Sequence, residues 1–283
     1  NRAIIMRPEF AEALYLRGTC HGAMDNLDQA IADLEHASRV KPEWDRAWWA
    51  LGNMYRVAGR LQEARDGLDE ALSLKPDSTD ALMDRATVLE SLGDVTAAVS
   101  DLERVVTLEP QNATALFEYG RLLLGTDARQ ALTVLSGALK LDRRNGQVWL
   151  YRGLAHEQTR APERSLADLT VACRLMPDNA TAWHHRGRVL QQLGMADDAV
   201  NDLQQAARLA PNNVSIQQDL LTAREEVASR TPATVVSVTP DHQSHTSPVS
   251  LPEFVQEAVV TAEPPVVKQD FEPFPLPQPQ DEA

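Results

Sequence analysis

An all-α solenoid of stacked helix pairs, followed by a disordered tail, is the fold that this sequence predicts. Two observations lead there. Residues 180–213 read Ala180-Thr-Ala-Trp183-His-His-Arg186-Gly187, then Leu190, Gly194, Ala199, Leu203, Ala206 and Pro211, and the same spacing returns at 34-residue steps back to residue 11. A fixed period of that length marks units that each bury one face against a neighbour. Within each window, apolar residues recur at helical period in two stretches, broken near a Gly and closed by a Pro.

Numbering a unit from 1 to 34 puts an aromatic residue or Leu at 4, a small residue at 8, Ala at 20, Leu at 24, Ala at 27 and Pro at 32. Residues 1–10 fit only the end of a preceding unit, with Ala3 at 27 and Pro8 at 32, so more repeat or another domain is expected upstream of Asn1. Six units follow: 11–44, 45–78, 79–112, 113–145, 146–179 and 180–213. The fourth is one residue short around Gly125 to Ala128, and Arg143 replaces its closing Pro. Small residues at 8 and 20 let the two helices of a unit approach closely, and a Leu at either place would cost roughly 1–3 kcal/mol. Gly59, Gly93 and Gly194 at position 15 suit a helix end that turns left-handed. The Asp, Asn or Ser after the Pro can cap the next helix. Residues 214–229 form a single helical pattern with a polar side, as a terminal cap requires.

Two positions vary together. Position 7 is Arg and position 23 is Asp in the same four units: Arg17 with Asp33, Arg85 with Asp101, Arg152 with Asp168, Arg186 with Asp202. Elsewhere both are absent, as Leu51 with Gly67 and Tyr119 with Val134. The spacing predicts an Arg–Asp contact bridging the two helices of one repeat.

Residues 230–283 are different material. Ten of the chain's 17 prolines and eight acidic residues lie there. Such a segment cannot bury enough apolar surface to offset its ordering entropy and is expected to be disordered. Two stretches within it, 251–260 and 271–280, are candidate docking motifs, the second through polyproline II geometry.

The formal net charge of -14 argues against a nucleic-acid footprint, which needs a basic patch, and against adsorption on anionic membranes. No apolar run is long enough to span a bilayer, so no direct membrane contact is expected. Cytoplasm is the favoured compartment. Cys20 and Cys173 sit in different units and are expected to be free thiols.

The pattern Trp48-x2-Leu51-Gly52-x2-Tyr55, with Ala64, Leu68, Ala71 and Pro76, resembles the tetratricopeptide repeat, as do its neighbours. The Arg-Gly and Asp-Leu pairs give the array a bacterial flavour. The resemblance covers about residues 1–229. It implies a right-handed superhelix of antiparallel helix pairs that binds a peptide or helix in a concave groove lined by the first helix of each pair. Carried over position by position, that groove offers Tyr15, Trp49, Met83, Phe117, Leu150 and His184, with Asn53, Arg121 and Arg188 beside them. The N-terminal half is then aromatic and apolar. The C-terminal half turns basic, through His184, His185 and Arg188, with Arg152 and Arg186 nearby if free of their Asp partners. A ligand apolar at one end and acidic at the other would fit. The family's carboxylate clamp for chaperone tails is absent, since Asn53 alone matches it.

No residues point to chemistry. The neighbouring pairs His184–His185 and Cys20–His21 diverge on a helix. His156 and Cys173 fall at packing positions, and Asp241-His-Gln-Ser-His245 lies in the tail. No phosphate loop or metal-ligand spacing is present, so no cofactor, metal or catalytic residue is expected. The function expected is a protein-interaction scaffold. The alternatives are a docking region of a larger enzyme whose catalytic domain lies upstream, and a purely structural spacer.

Overall fold

In the computed structural model, residues 9–230 are described. They form thirteen helices and no strand. The six pairs are α1 (Ala11–Ala23) with α2 (Leu27–Val40), α3 (Asp45–Val57) with α4 (Leu61–Leu74), α5 (Thr79–Ser91) with α6 (Val95–Leu108), α7 (Ala113–Leu123) with α8 (Ala128–Leu141), α9 (Gly146–Gln158) with α10 (Pro162–Leu175), and α11 (Ala180–Gln192) with α12 (Ala196–Leu209). A single helix, α13 (Val214–Arg230), closes the series. Each helix packs chiefly on the helices before and after it, so the described residues are a right-handed solenoid of antiparallel pairs. The acidic tail with its two candidate motifs, and residues 1–8, lie outside the described residues.

The core is a ladder of position-24 leucines. Leu34, Leu68, Leu135, Leu169 and Leu203 are fully buried, and Leu102 nearly so. Each such side chain is worth about 1.5–3 kcal/mol of burial. The glycines at position 8 set how deeply they sit. A Cβ built on Gly18, Gly52, Gly120, Gly153 or Gly187 would stand 2.6–2.9 Å from the facing Leu Cγ. Any side chain there would push the pair apart. Ser165, the one polar residue at position 20, is fully buried and donates its hydroxyl to Gly153 O at 2.8 Å.

Five of the six pairs turn through a left-handed residue at position 15. Gly59, Gly93 and Gly194 have φ of 74°, 86° and 79°. The following amide reaches back five residues, as Arg60 N to Tyr55 O at 2.9 Å, which satisfies the carbonyls at the helix end. Asp25 and Arg160 take the same role at φ 61° and 58° without the freedom of glycine. Repeat four lacks this residue altogether. There Asp127 N bonds Leu123 O, four residues back, and the Asp127 side chain accepts from Arg129 N and Gln130 N to open α8. Asn112, Asn145, Asn179 and Asn213 likewise cap the helices that follow them.

The four Arg–Asp pairs are two-pronged. Nε and Nη2 of Arg17, Arg85, Arg152 and Arg186 donate to the two oxygens of Asp33, Asp101, Asp168 and Asp202 over 2.5–2.8 Å. The carboxylates are buried, and the guanidinium groups keep one edge exposed. Successive repeats are stapled by indoles. Trp48, Trp149 and Trp183 donate Nε1–H to the carbonyls of Pro42, Arg143 and Pro177, each at 2.8 Å. Arg143 serves as well as Pro because only its carbonyl is used. On α13, Ile216, Leu220 and Ala223 face inward while Leu221 is 53 % exposed. Arg230, read from sequence as the start of the tail, ends this helix and donates to Gly194 O at 2.9 Å.

Two outcomes follow from these contacts. Removing Asp202 alone strands a guanidinium in a mostly dry site, and Asp202→Ala is expected to cost about 3 kcal/mol. A double-mutant cycle with Arg186→Ala should return about 1–2 kcal/mol of coupling in urea melts, and additive single effects would rule out the bridge. Arg160→Gly relieves a left-handed side-chain-bearing residue and should stabilise the chain by about 1 kcal/mol, read as a rise in thermal midpoint.

Candidate functional site

The first helices of the pairs present positions 5, 6, 9 and 12 along one face, by the i, i+3, i+4 geometry of a helix. Side chains there meet across repeat boundaries. Trp49 Nε1–H and Asn53 Nδ2–H both donate to Asp84 Oδ2, at 2.7 and 2.6 Å. Arg56 clamps Asn53 Oδ1 through Nε and Nη2. Phe117 meets Tyr151 edge-on, centroids 5.6 Å apart. His184 Nε2 lies 2.7 Å from Asp219 Oδ2. In all three cases position 5 of one repeat meets position 6 of the next.

The remaining position-5 residues turn toward the repeat junctions. Tyr15 lies against Trp44, with ring centroids 4.9 Å apart, and Lys41 sits over the same indole. Met83 is half-buried, with its sulfur 3.9 Å from Asn112 Nδ2. Leu150 is only 3 % exposed and His184 only 9 %, so these two offer a ligand little surface. The exposed apolar surface of this face lies toward the N-terminus, where Leu16 is 61 % and Val57 52 % exposed.

The basic end expected from sequence is neutralised. Arg152 and Arg186 are held by Asp168 and Asp202. His185 Nδ1 is 2.9 Å from Glu157 Oε2, and Arg188 lies 3.5 Å from Glu157 and 3.9 Å from Asp219. Burial pushes the Glu157 carboxyl up, but the His185 hydrogen bond and the nearby positive charges outweigh it and hold the group below its usual range. Arg121 is engaged too, forking onto Glu90 at 2.6–2.7 Å and donating Nε–H to Glu118. That fork holds the Glu90 carboxyl below the usual carboxylate range. Asp84 falls in the position-6 row of the groove in sequence, whereas Glu90, Glu157 and Asp219 are not among the residues the sequence singles out. Reading donors at positions 5 and 9 against acids at 6 and 12 of adjoining units would have found them.

The sequence expects neighbouring side chains to diverge on a helix, yet the rings of His184 and His185 lie 5.5 Å apart, tilted. His184 and His185 answer to different carboxylates. His21 and His156 stand 3.9 and 3.8 Å from Asp33 and Asp168, beside the Arg forks, and burial lowers the His156 pKa. Cys20 is exposed and Cys173 buried, both free thiols. Burial pushes the Cys173 thiol up to about 12, so it stays protonated and unreactive. Among the described residues no group of His, Cys, Asp and Glu could hold a metal ion, and no helix is long and apolar enough to cross a membrane.

Residues 11–43, 51–117 and 180–213 match models of the tetratricopeptide repeat. Residues 162–193, the second helix of one pair and the first of the next, also match the protein prenyltransferase alpha subunit repeat. A search of curated proteins finds no match. Among solved structures the chain is similar to YrrB, described as a TPR protein with an unusual peptide-binding site. The two share 24 % identity at a TM-score of 0.61, over 65 % of this chain and 95 % of that one. It is similar to pilF of Pseudomonas aeruginosa at 20 % identity and a TM-score of 0.63, over 76 % of this chain and 99 % of that one. A third likeness, to the APC/C hetero-tetramer Cut9-Hcn1, has 17 % identity and a TM-score of 0.59. It covers 79 % of this chain but 44 % of that one. With three such matches falling in the register of six stacked helix pairs, the chain belongs to the tetratricopeptide repeat family.

Proposed function

We propose that this tetratricopeptide scaffold, whose fold serves protein–protein interaction, binds a peptide or helix of a protein partner along the face of its first helices, and that it carries no catalysis of its own. The observation that carries this reading is the unevenness of the face. Toward the C-terminus its cations are consumed by Glu157, Asp219 and Glu90. Toward the N-terminus Leu16 and Val57 stand exposed beside the half-buried rings of Tyr15 and Trp49. Apolar and aromatic side chains on a shaped surface are the usual anchors of a bound segment. The partner is therefore one that presents apolar side chains to repeats one and two, rather than an acidic terminus to repeat six. The likeness to a solved tetratricopeptide protein with a peptide-binding site supports the reading.

The test is affinity capture with the chain as bait, followed by rebinding of the purified partner. Leu16→Asp with Val57→Asp changes exposed positions only and should weaken binding about tenfold or more, with helicity and melting unchanged. Trp49→Ala should do the same, if melting shows the variant folded. A partner that binds both folded variants like wild type would place its site elsewhere.

A further inference from the structure

A recess of about 600 Å³ opens between α2 and α4, above α3, on the side away from the face just described. Trp48, Leu51 and Tyr55 form its floor. Glu35, Glu63, Asp66 and Glu70 line it, together with one cation, Arg39.

The chain itself shows what such a seat holds. In repeats five and six the same positions enclose a guanidinium. Arg152 lies over Trp149 at 4.9 Å from the ring centroid, and Arg186 over Trp183 at 4.6 Å. Each forks onto the Asp at position 23. A further N–H reaches back to position 25 of the preceding repeat, as Arg152 Nη1 does to Ser136 Oγ at 3.3 Å and Arg85 Nη1 to Asp69 Oδ1 at 2.7 Å. Repeat two keeps the surroundings and lacks the arginine at position 7. Trp48 is in place, its indole fixed to Pro42 O, and Glu35 stands at position 25. Position 7 is Leu51, and position 23 is Gly67, which has no side chain to fill the gap.

The charges complete the comparison. Glu63 is paired with Arg60, which also covers the Tyr55 ring at 4.5 Å, and Asp66 is paired with Arg65. Glu35 accepts the Tyr55 hydroxyl through one oxygen. Among the described residues Glu35, Glu70 and the lining Arg39 are in no ion pair, and no cation lies over Trp48, so the recess holds four acids to one arginine of its own. The adjoining recess between α4 and α6, about 680 Å³, differs in that Arg85 lines it, already held by Asp101 and Asp69.

We propose that the recess over repeat two is a binding site for an arginine side chain displayed by a protein partner, stacked on Trp48 and received by Glu35 and Glu70. Arginine rather than lysine fits, because a planar guanidinium can stack on an indole while its forked N–H groups reach two carboxylates.

The experiment titrates the 15N-labelled full chain with the blocked tripeptide acetyl-Gly-Arg-Gly-amide, following the Trp48 indole N–H and the Gly67 amide by NMR. Saturable shifts at both are expected. The same peptide with citrulline, which keeps the shape and loses the charge, should bind about tenfold more weakly. Glu35→Gln with Glu70→Gln keeps an acceptor for Tyr55 and should weaken arginine binding about fivefold or more. Leu51→Arg with Gly67→Asp rebuilds the internal pair and should abolish the response. Equal binding of the citrulline peptide, or an undiminished response from the folded Glu35→Gln, Glu70→Gln protein, would overturn the proposal.

Discussion

The distance between the two helices of each repeat is fixed at position 8. Five glycines there face five buried leucines with no room for a Cβ, and much else in the array depends on that closeness. Position 7 lies one residue before this contact and position 23 one residue before the Leu. The Arg fork closes over 2.5–2.8 Å across this approach, and in repeat three it does so with Ala86 in place of the glycine. Ser165 reaches the Gly153 carbonyl across the same approach. Dispersion and burial bring the helices together, and the polar contacts then fix their rotation about one another.

Much of this was legible in the sequence because six copies of one unit average out local accidents. Helix limits, the buried Leu ladder and the coupling of Arg with Asp all come from comparing like positions within one chain. What escaped has a shared physical cause. Asp25 and Arg160 adopt the left-handed turn with no glycine to announce it, because the five-residue return bond is backbone to backbone and indifferent to the side chain. Trp44 and Asn112 lie at the seam between units, outside the positions compared, yet they contact Tyr15 and Met83. The row of first-helix residues is basic toward its end only when one position is taken at a time. Its partners, Glu157 and Asp219, sit in neighbouring units at other positions.

The two faces of the array therefore differ in kind. On the side of the first helices, polar groups pair across repeat boundaries, and apolar exposure remains near Leu16 and Val57. On the side of the second helices, an Arg–Asp fork recurs in four repeats and lies over an indole in repeats five and six. The departures from the repeat are where the surfaces acquire individuality. Repeat two, lacking both Arg and Asp, exposes an indole among acids. Repeat four, short by one residue, opens its second helix from Asp127 directly.

The staples between repeats carry a further consequence for how the array comes apart. Indoles bound to carbonyls do not titrate, and they join repeats one to two, four to five and five to six. The joints between repeats two and three and between three and four have Leu82 and Leu116 where those have Trp; across the second, Arg121 forks onto Glu90 beside a shared apolar core that includes Leu89, Leu102, Leu116 and Tyr119. The Glu90 carboxyl is depressed in the folded chain, so its contribution is complete above about pH 4.3 and is lost as acid protonates it. In a quasi-one-dimensional chain of units, stability is a sum over units and the joints between neighbours. Acid thus weakens one polar contact at a middle joint, while the apolar packing across that joint and the indole links elsewhere do not respond to pH.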